Sequence, residues 1–241
     1  MSDLSWSMPV AACAVSETAT RELDFVAPMI RRRLSSLSKS ALHVAGACLS
    51  DPSDVRLVFA SRHGELKRST DTLHAISARE PVSPTAFSLS VLNAMTGIFG
   101  MTCGNHLPAT ALSAGEQTLG YAMLEAYAQF ATDRTQAVLL VYADEPADAL
   151  YGVIENEVSA GALAILIDDQ VPHAQLTCTL STGGMGRIRD SGSDSDAVAD
   201  YRGTQSSAVR QCLETRQPVA WRSPQGTWRW TWDGESHAET A

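Results

Sequence analysis

Two continuous apolar runs, AVLLVY at 137–142 and ALAILI at 162–167, constrain the fold more than any other feature of the sequence. Neither run shows the alternation of a strand that has one face in water. Continuous runs of this kind are typical of strands that lie inside a sheet and are covered on both faces. The chain is therefore expected to be an α/β protein in which helices pack on both sides of a sheet.

Further helices and strands are predicted to alternate with these two runs. The strongest periodic signal lies in 119–130, where apolar residues recur at helical spacing. This alternation predicts a layered α/β fold with a mixed, largely parallel sheet. Other helices are predicted at about 28–49, from 64, and from 83, and strands at 9–15, 55–60, 107–112 and 175–180, the last as an edge strand.

The composition changes after residue 180 to a stretch rich in Gly, Ser and Asp, which predicts a loop. We therefore divide the chain into a domain at 1–180 and a short C-terminal extension at 181–241. A helix is expected near 206–214. The extension ends in a predicted strand that carries Trp228, Trp230 and Trp232 on one side. We expect them to pack on the core of the same chain, with a partner surface as the alternative.

The composition excludes several classes of function. A formal net charge of −9 argues against a nucleic-acid surface, and no apolar run reaches the length of about 18 residues that a membrane span needs. Five scattered cysteines and a start without basic residues predict a cytoplasmic protein without disulfides. Cys103 and His106 form a single C-x-x-H pair that lacks a second pair, so neither a metal nor another cofactor is expected.

The segment from Ser83 to Glu116 resembles the N-terminal half of the β-ketoacyl synthases, which have the thiolase fold. In that family a Ser-Pro pair, eight residues, an Asn, three residues and a Gly follow one another, as do Ser83-Pro84, Asn93 and Gly97 here. Eighteen residues then precede the nucleophilic Cys of the family, and the same count leads to Glu116. The resemblance covers roughly 8–168 and implies a thiolase-like half-fold.

The same resemblance implies that the chain is not a catalyst on its own. Glu116 cannot form the acyl thioester that condensation requires, and neither histidine motif of the family's C-terminal half is found. Within the family, the chain-length factors of polyketide-type systems pair with an active ketosynthase and carry Gln in place of the Cys. This chain resembles a short member of the chain-length-factor-like group of aryl-polyene-type pathways. Gln117 lies one residue from the nucleophile position, so a shift by one residue would make it that glutamine.

The resemblance also implies residues that contact a partner. A full-length β-ketoacyl-ACP synthase is the expected partner in a heterodimer, and an acyl carrier protein is a further one. The expected acyl-pocket wall comprises Phe87, Leu89, Val91 and Asn93, and the expected dimer-edge strand comprises Ala109, Thr110, Ala111 and Leu112.

Two local patterns have competing interpretations. Ser113 and Glu116 match the S-x-x-E capping box, so a structural role for Glu116 at the start of the following helix is favoured over acid–base chemistry. The run Arg31, Arg32 and Arg33 is expected on a helix, either as a solvated face or as a docking patch for the carrier protein.

Two other functions are compatible with the sequence. The chain could be an enzyme in its own right, a malonyl decarboxylase or acyltransferase that uses Glu116, Gln117 or Cys103. It could also be an acyl-chain or carrier-protein binding module that uses the arginine run. Acyl adducts or CO2 release from the isolated chain would identify the first function, and charge reversal at the arginines would test the second.

Overall fold

The computed structural model describes residues 3–16, 23–50, 54–170, 174–182 and 200–234, so most of the predicted loop after residue 180 lies outside the described residues. The strands that it describes form one nine-stranded sheet in the order β3-β2-β4-β5-β1-β6-β9-β8-β7. The strands are β1 Leu4–Ser16, β2 Arg56–Ala60, β3 Ala109–Leu112, β4 Val138–Asp144, β5 Gly161–Ile167, β6 Ala174–Ser181, β7 Asp200–Tyr201, β8 Val219–Ser223 and β9 Gly226–Asp233.

Seven helices accompany the sheet in the described part of the chain, together with two short 3-10 turns at Gly115–Gln117 and Ala149–Tyr151. The helices are α1 Pro28–Arg31, α2 Ser36–Cys48, α3 Leu66–Ser77, α4 Pro84–Ser88, α5 Ala94–Cys103, α6 Thr118–Thr132 and α7 Gln205–Thr215.

The sheet is mixed, as expected, but the prediction of a largely parallel sheet is wrong. Among the described strands, β2 pairs in parallel with β3 and β4, and β7 pairs in parallel with β8, whereas the other five pairings are antiparallel. The reason lies in the connections, because β4 returns to β5 through a 3-10 turn and a loop rather than through a crossover helix. β6 is not an edge strand either, since β1 and β9 flank it.

Helices cover both faces of the sheet, which confirms the layered α/β architecture. Alternate residues of β2, β4 and β5 point to the two faces and divide the interior into two apolar clusters. One cluster packs beneath α2 and α5, and the other packs beneath α6 and α7. Both predicted central strands are largely buried, as their continuous apolar runs require.

Two long predicted helices are each divided in the structure. The helix expected at 28–49 ends after α1 and resumes at α2, because the Ser35 hydroxyl accepts a hydrogen bond from the Ser38 amide and begins a new helix. The arginine run therefore lies at the end of α1 and in the following turn, not along a long helix. Ser83 caps α4 as predicted, with Pro84 at the first helical position, but α4 ends at Ser88.

The apolar stripe predicted on α3 is not buried. Leu73 and Ile76 are 58% and 55% exposed, and Thr70 is the one buried residue of this helix. The periodicity correctly indicated a helix, but α3 packs against α4 at the periphery rather than on the sheet.

The three tryptophans of the last strand face the interior of the same chain, which confirms the favoured interpretation. Trp228 and Trp230 are fully buried, and Trp232 packs at the margin of the same cluster. This approach requires a glycine on α6, since a Cβ added at Gly120 would lie 2.8 Å from the Trp228 ring and 2.7 Å from the Gln205 amide nitrogen. The C-terminal strands therefore belong to the same packed core as the central sheet.

The variant Gly120→Ala is expected to destabilise the chain by about 1–3 kcal/mol, because the added methyl group overpacks a closed contact. Gly97→Ala on α5 is the matched control. A Cβ at Gly97 meets no atom within 4 Å, so this change should stabilise the helix by roughly 0.5–1 kcal/mol. Urea unfolding of both variants measures the difference, and equal effects would contradict the close approach of the C-terminal strands.

Candidate functional site

The position predicted from the sequence for the nucleophile, Glu116, lies in the turn between β3 and α6. Gly115 adopts a left-handed φ of 60°, and the 3-10 turn Gly115–Gln117 leads into the helix. The Thr118 hydroxyl accepts a hydrogen bond from the Ala114 amide at 2.9 Å and donates one to the Gly115 carbonyl at 2.7 Å. The predicted capping box of Ser113 and Glu116 is therefore wrong, because Thr118 binds the amide at the start of the turn and the Ser113 hydroxyl donates to the Arg62 carbonyl.

Glu116 faces a small cavity of about 10 Å³, room for about one water molecule, instead of the backbone. Its Oε2 atom accepts a hydrogen bond of 2.8 Å from the side-chain amide of Asn156, which lies in the loop before β5. Asn156 has a left-handed φ of 52°, a conformation that asparagine tolerates better than most residues. Arg62, Tyr142 and Gln205 are among the other residues that line this cavity.

Gln117 points in the opposite direction, into the core. It is 2% exposed, its Oε1 atom accepts a hydrogen bond of 2.7 Å from the Trp228 indole, and its Nε2 atom donates to Gln225. The two neighbouring side chains therefore have different roles, since Glu116 lines the cavity and Gln117 ties the start of α6 to the last hairpin.

A buried carboxylate at the end of β4 organises the opposite wall of the cavity. Asp144 accepts hydrogen bonds from the backbone amides of Arg62 at 2.6 Å and His63 at 3.1 Å, and from the Ser61 hydroxyl at 2.9 Å. Burial raises the pKa of this carboxyl, although the two amide hydrogen bonds act in the opposite direction. Burial also raises the pKa of the neighbouring Tyr142 hydroxyl well above its usual value, and Asp144 adds to this effect.

The turn that Asp144 holds reaches back to the loop before β5. The Arg62 guanidinium donates hydrogen bonds to the backbone carbonyls of Asn156 at 2.5 Å and Glu155 at 3.2 Å. Next to it, His63 Nε2 lies 2.7 Å from Glu157 Oε1. Burial acts against ionisation of Glu157, but the hydrogen bonds from His63 and from the Val158 amide together lower its pKa.

Three of the cysteines, Cys48, Cys103 and Cys212, have thiols that burial makes poor nucleophiles. All five are free thiols in described positions. Burial raises the pKa of Cys103 to about 11, and it raises the pKa of Cys48 to about 12 and that of Cys212 to about 11. A thiol is nucleophilic as the thiolate, so these shifts oppose reactivity near neutral pH.

The other predicted site residues lie away from this cavity, in two places. The expected pocket-wall and edge-strand residues lie around α4, α5 and β3, and the arginine run lies between α1 and α2. Phe87 is 64% and Val91 49% exposed, and Asn93 is also exposed, whereas Leu89 packs against the core beneath α2 and α5. Residues Ala109–Leu112 form the outermost strand of the described sheet. Arg32 and Arg33 are exposed, and Arg31 lies 3.7 Å from Asp24.

A family model of the β-ketoacyl synthase N-terminal domain matches residues 4–231. The chain belongs to this family. The match extends beyond the region 8–168 over which the sequence shows the resemblance, and it includes α7, β8 and most of β9. No curated protein sequence matches this member of the β-ketoacyl synthase family.

Solved structures show the same fold. A chain from the complex of the ketosynthase ApeO with its chain length factor ApeC, from Xenorhabdus doucetiae, superposes with a TM-score of 0.73 at 20% identity, over 94% of this chain and 99% of that one. A β-ketoacyl synthase from Burkholderia phymatum gives a TM-score of 0.56 at 10% identity, over 90% and 86% of the two chains. The ishigamide ketosynthase/chain length factor gives 0.53 at 16% identity, over 65% and 51%.

Sequence reasoning missed three residues that shape this β-ketoacyl synthase site. Asp144 could have been found, because an acidic residue that directly ends a buried strand needs donors at the edge of the sheet. Arg62 and Asn156 carried no such signal, since each lies in a polar loop whose path depends on the tertiary structure.

The described part of the chain contains no group of three or more His, Cys, Asp or Glu side chains placed to hold a metal ion. Its described helices are all too short or too polar to cross a membrane.

The variant Asp144→Asn is expected to lower the free energy of unfolding by about 1–3 kcal/mol, because its NH2 group would face at least one N–H donor and leave it unsatisfied. Glu145→Gln is the neighbouring control at a less buried position. Urea unfolding and the chemical shifts of the Arg62 and His63 amides measure the effect. Unchanged stability together with unchanged amide shifts would contradict the role of Asp144 in holding this turn.

Proposed function

We propose that this chain is a non-catalytic, chain-length-factor-like subunit that forms a heterodimer with an active, full-length β-ketoacyl-ACP synthase. The observation that carries the proposal is the side chain of Glu116. A carboxylate stands where the family resemblance predicts the nucleophile, and it accepts a hydrogen bond from the side-chain amide of Asn156. Such a group cannot form the acyl thioester of a condensation, and the raised pKa values of Cys48, Cys103 and Cys212 argue against a substitute thiol.

The proposed partner surface consists of the free side of β3 and the adjacent groove beside α5. An outermost strand presents backbone donors and acceptors to which a second chain can add a strand. The groove has a volume of about 330 Å³ and is lined by Gly97, Gly100 and the exposed Met101, among other residues. Gly97 leaves space above the helix backbone that a partner side chain can fill. Phe87 and Val91 are also exposed, and we propose that they form part of the wall of the partner's acyl pocket.

The biological setting of the subunit is part of the proposal. The structural neighbour from Xenorhabdus doucetiae is a ketosynthase in complex with its chain length factor, which supports a paired assembly for this chain. We place the chain in aryl-polyene-type or related fatty-acid-type elongation, in the cytoplasm, as a pseudoenzyme that stabilises the ketosynthase and limits chain length.

Co-purification with the ketosynthase encoded in the same source tests the heterodimer. We expect a one-to-one complex that condenses malonyl units, and Met101→Glu should lower the yield of the complex at least tenfold by placing a charge in the groove. Met29→Glu is the matched control, because Met29 is 69% exposed and Met101 73%. The measurement is the mass and stoichiometry of the eluate.

The non-catalytic role has a separate test in the same complex. Glu116→Ala should leave the condensation rate nearly unchanged if the partner supplies the chemistry. A monomer that binds no ketosynthase would contradict the pairing, and acyl adducts or CO2 release from the isolated chain would favour the alternative of a stand-alone enzyme.

A second role, docking of an acyl carrier protein, is favoured by the exposed cations at the junction of α1 and α2. Arg32 and Arg33 extend into solvent, and Arg68 joins them by donating a hydrogen bond of 3.0 Å to the Arg33 carbonyl. A structural neighbour contains a type II polyketide acyl-carrier protein bound to its ketosynthase, at a TM-score of 0.56 and 10% identity. We propose that this patch attracts the acidic carrier.

The double variant Arg32→Glu/Arg33→Glu is expected to weaken carrier binding about tenfold at low salt and to reduce its dependence on ionic strength. Lys39→Glu on α2 serves as the control for a general change in net charge. Calorimetric titration of the complex with holo carrier protein, at two salt concentrations, measures the effect. Equal affinities of the double variant and the control for the carrier protein would contradict the proposed docking patch.

A further inference from the structure

The loop at 152–160, here called the strap, runs from the 3-10 turn Ala149–Tyr151 to the start of β5 and passes in front of the first turn of α6. Asn156 and Val158 of the strap form one wall of the cavity that Glu116 lines. Apolar packing holds the strap weakly. Val158 is its one buried residue, and Val153 is fully exposed.

Polar contacts from two separate elements hold the strap instead. From the turn after β2, Arg62 donates to two strap carbonyls, and His63 contacts Glu157. From the start of α6, Glu116 accepts from the side chain of Asn156. The first set is anchored by Asp144 and the second by the helix itself, so the strap spans two fixed points.

The strap has little apolar packing and is held mainly by exposed polar contacts, as are segments that unfold locally. Exposed polar pairs contribute little individually, since water competes for each partner. A segment with few buried apolar contacts and partly exposed hydrogen bonds unfolds locally at a lower free energy than the surrounding core. The strap meets both conditions, whereas β4 and α6 beneath it are largely buried.

We propose that the strap is a gate over the first turn of α6 and that Glu116 is its clasp. In the closed state Asn156 bridges the strap to Glu116 and completes the cavity wall. In the open state Asn156 leaves Glu116, and the cavity that Glu116 lines becomes wider and more accessible to solvent. Glu116 is then a positioning residue for the strap. This inference stands independently of the pairing with a ketosynthase.

Hydrogen exchange of the full chain, read by mass spectrometry, tests the clasp. Glu116→Ala and Asn156→Gly each remove the bridge from one side, and glycine accepts the left-handed conformation at position 156 without strain. We expect each variant to accelerate exchange in 152–160 about three- to tenfold, with β4 and the body of α6 unchanged. Glu116→Gln is the matched control, because its carbonyl oxygen still accepts from Asn156, and it should stay within about twofold of the parent chain.

The double variant Glu116→Ala/Asn156→Gly separates a direct clasp from two unrelated effects. If the two side chains act through one hydrogen bond, the double variant exchanges no faster than the faster single variant. Three results would overturn the proposal. The exchange rate of the double variant could be accelerated by the product of the two single effects, the exchange rate of 152–160 could be unchanged in both single variants, or β4 and α6 could be accelerated as much as the strap.

Discussion

The site depends on the carboxylate of Asp144, which lies where a fully buried strand ends. The apolar side chains of β4 have their faces covered by helices, and its last residue must satisfy the backbone amides of the neighbouring turn. Because that turn carries Arg62 and His63, the buried Asp144 carboxylate determines where these two side chains form their hydrogen bonds with the loop at 152–160. Glu116 receives its partner Asn156 through this series of contacts.

A second constraint connects the start of α6 to the end of the chain. Gly120 permits contact with Trp228, and the Gln205 side chain accepts a hydrogen bond from the Gly120 amide at 2.9 Å. Gln117 adds a hydrogen bond from the Trp228 indole on the preceding turn. The inner face of α6, the helix that follows Glu116, is therefore covered by α7 and β9 of the same chain and does not require a second protein.

The fold was largely predictable because burial on two faces leaves a strong signal. The runs at 137–142 and 162–167, the spacing around Ser83 and Asn93, and the alternating tryptophans each correspond to an observed element. The predictions failed where tertiary contacts determine the end of a helix, the burial of its face or the direction of a strand. Ser35 divides a helix whose periodicity continues through it, α3 leaves Leu73 exposed, and the direction of β5 follows from a loop without periodicity.

The candidate site was predictable only as a position along the chain. Counting from Gly97 identifies Glu116, but the choice between a helix cap and a cavity contact depends on Thr118 and on Asn156, forty residues later. Local pattern favoured the capping box because Glu116 has the right spacing from Ser113. In the structure the Thr118 hydroxyl instead binds the Ala114 amide from within the turn, and the Glu116 carboxylate binds Asn156 of the strap.

The place of β1 in the sheet has a consequence for synthesis on the ribosome. β1 lies between β5 and β6, whose residues are translated long after those of β1. The apolar residues of β1 therefore have neither neighbouring strand while α2, β2 and α6 are being made. Contacts of such long sequence separation slow folding and prolong the exposure of nascent apolar surface. The centre of this sheet can therefore form only after β5 and β6 have both been synthesised.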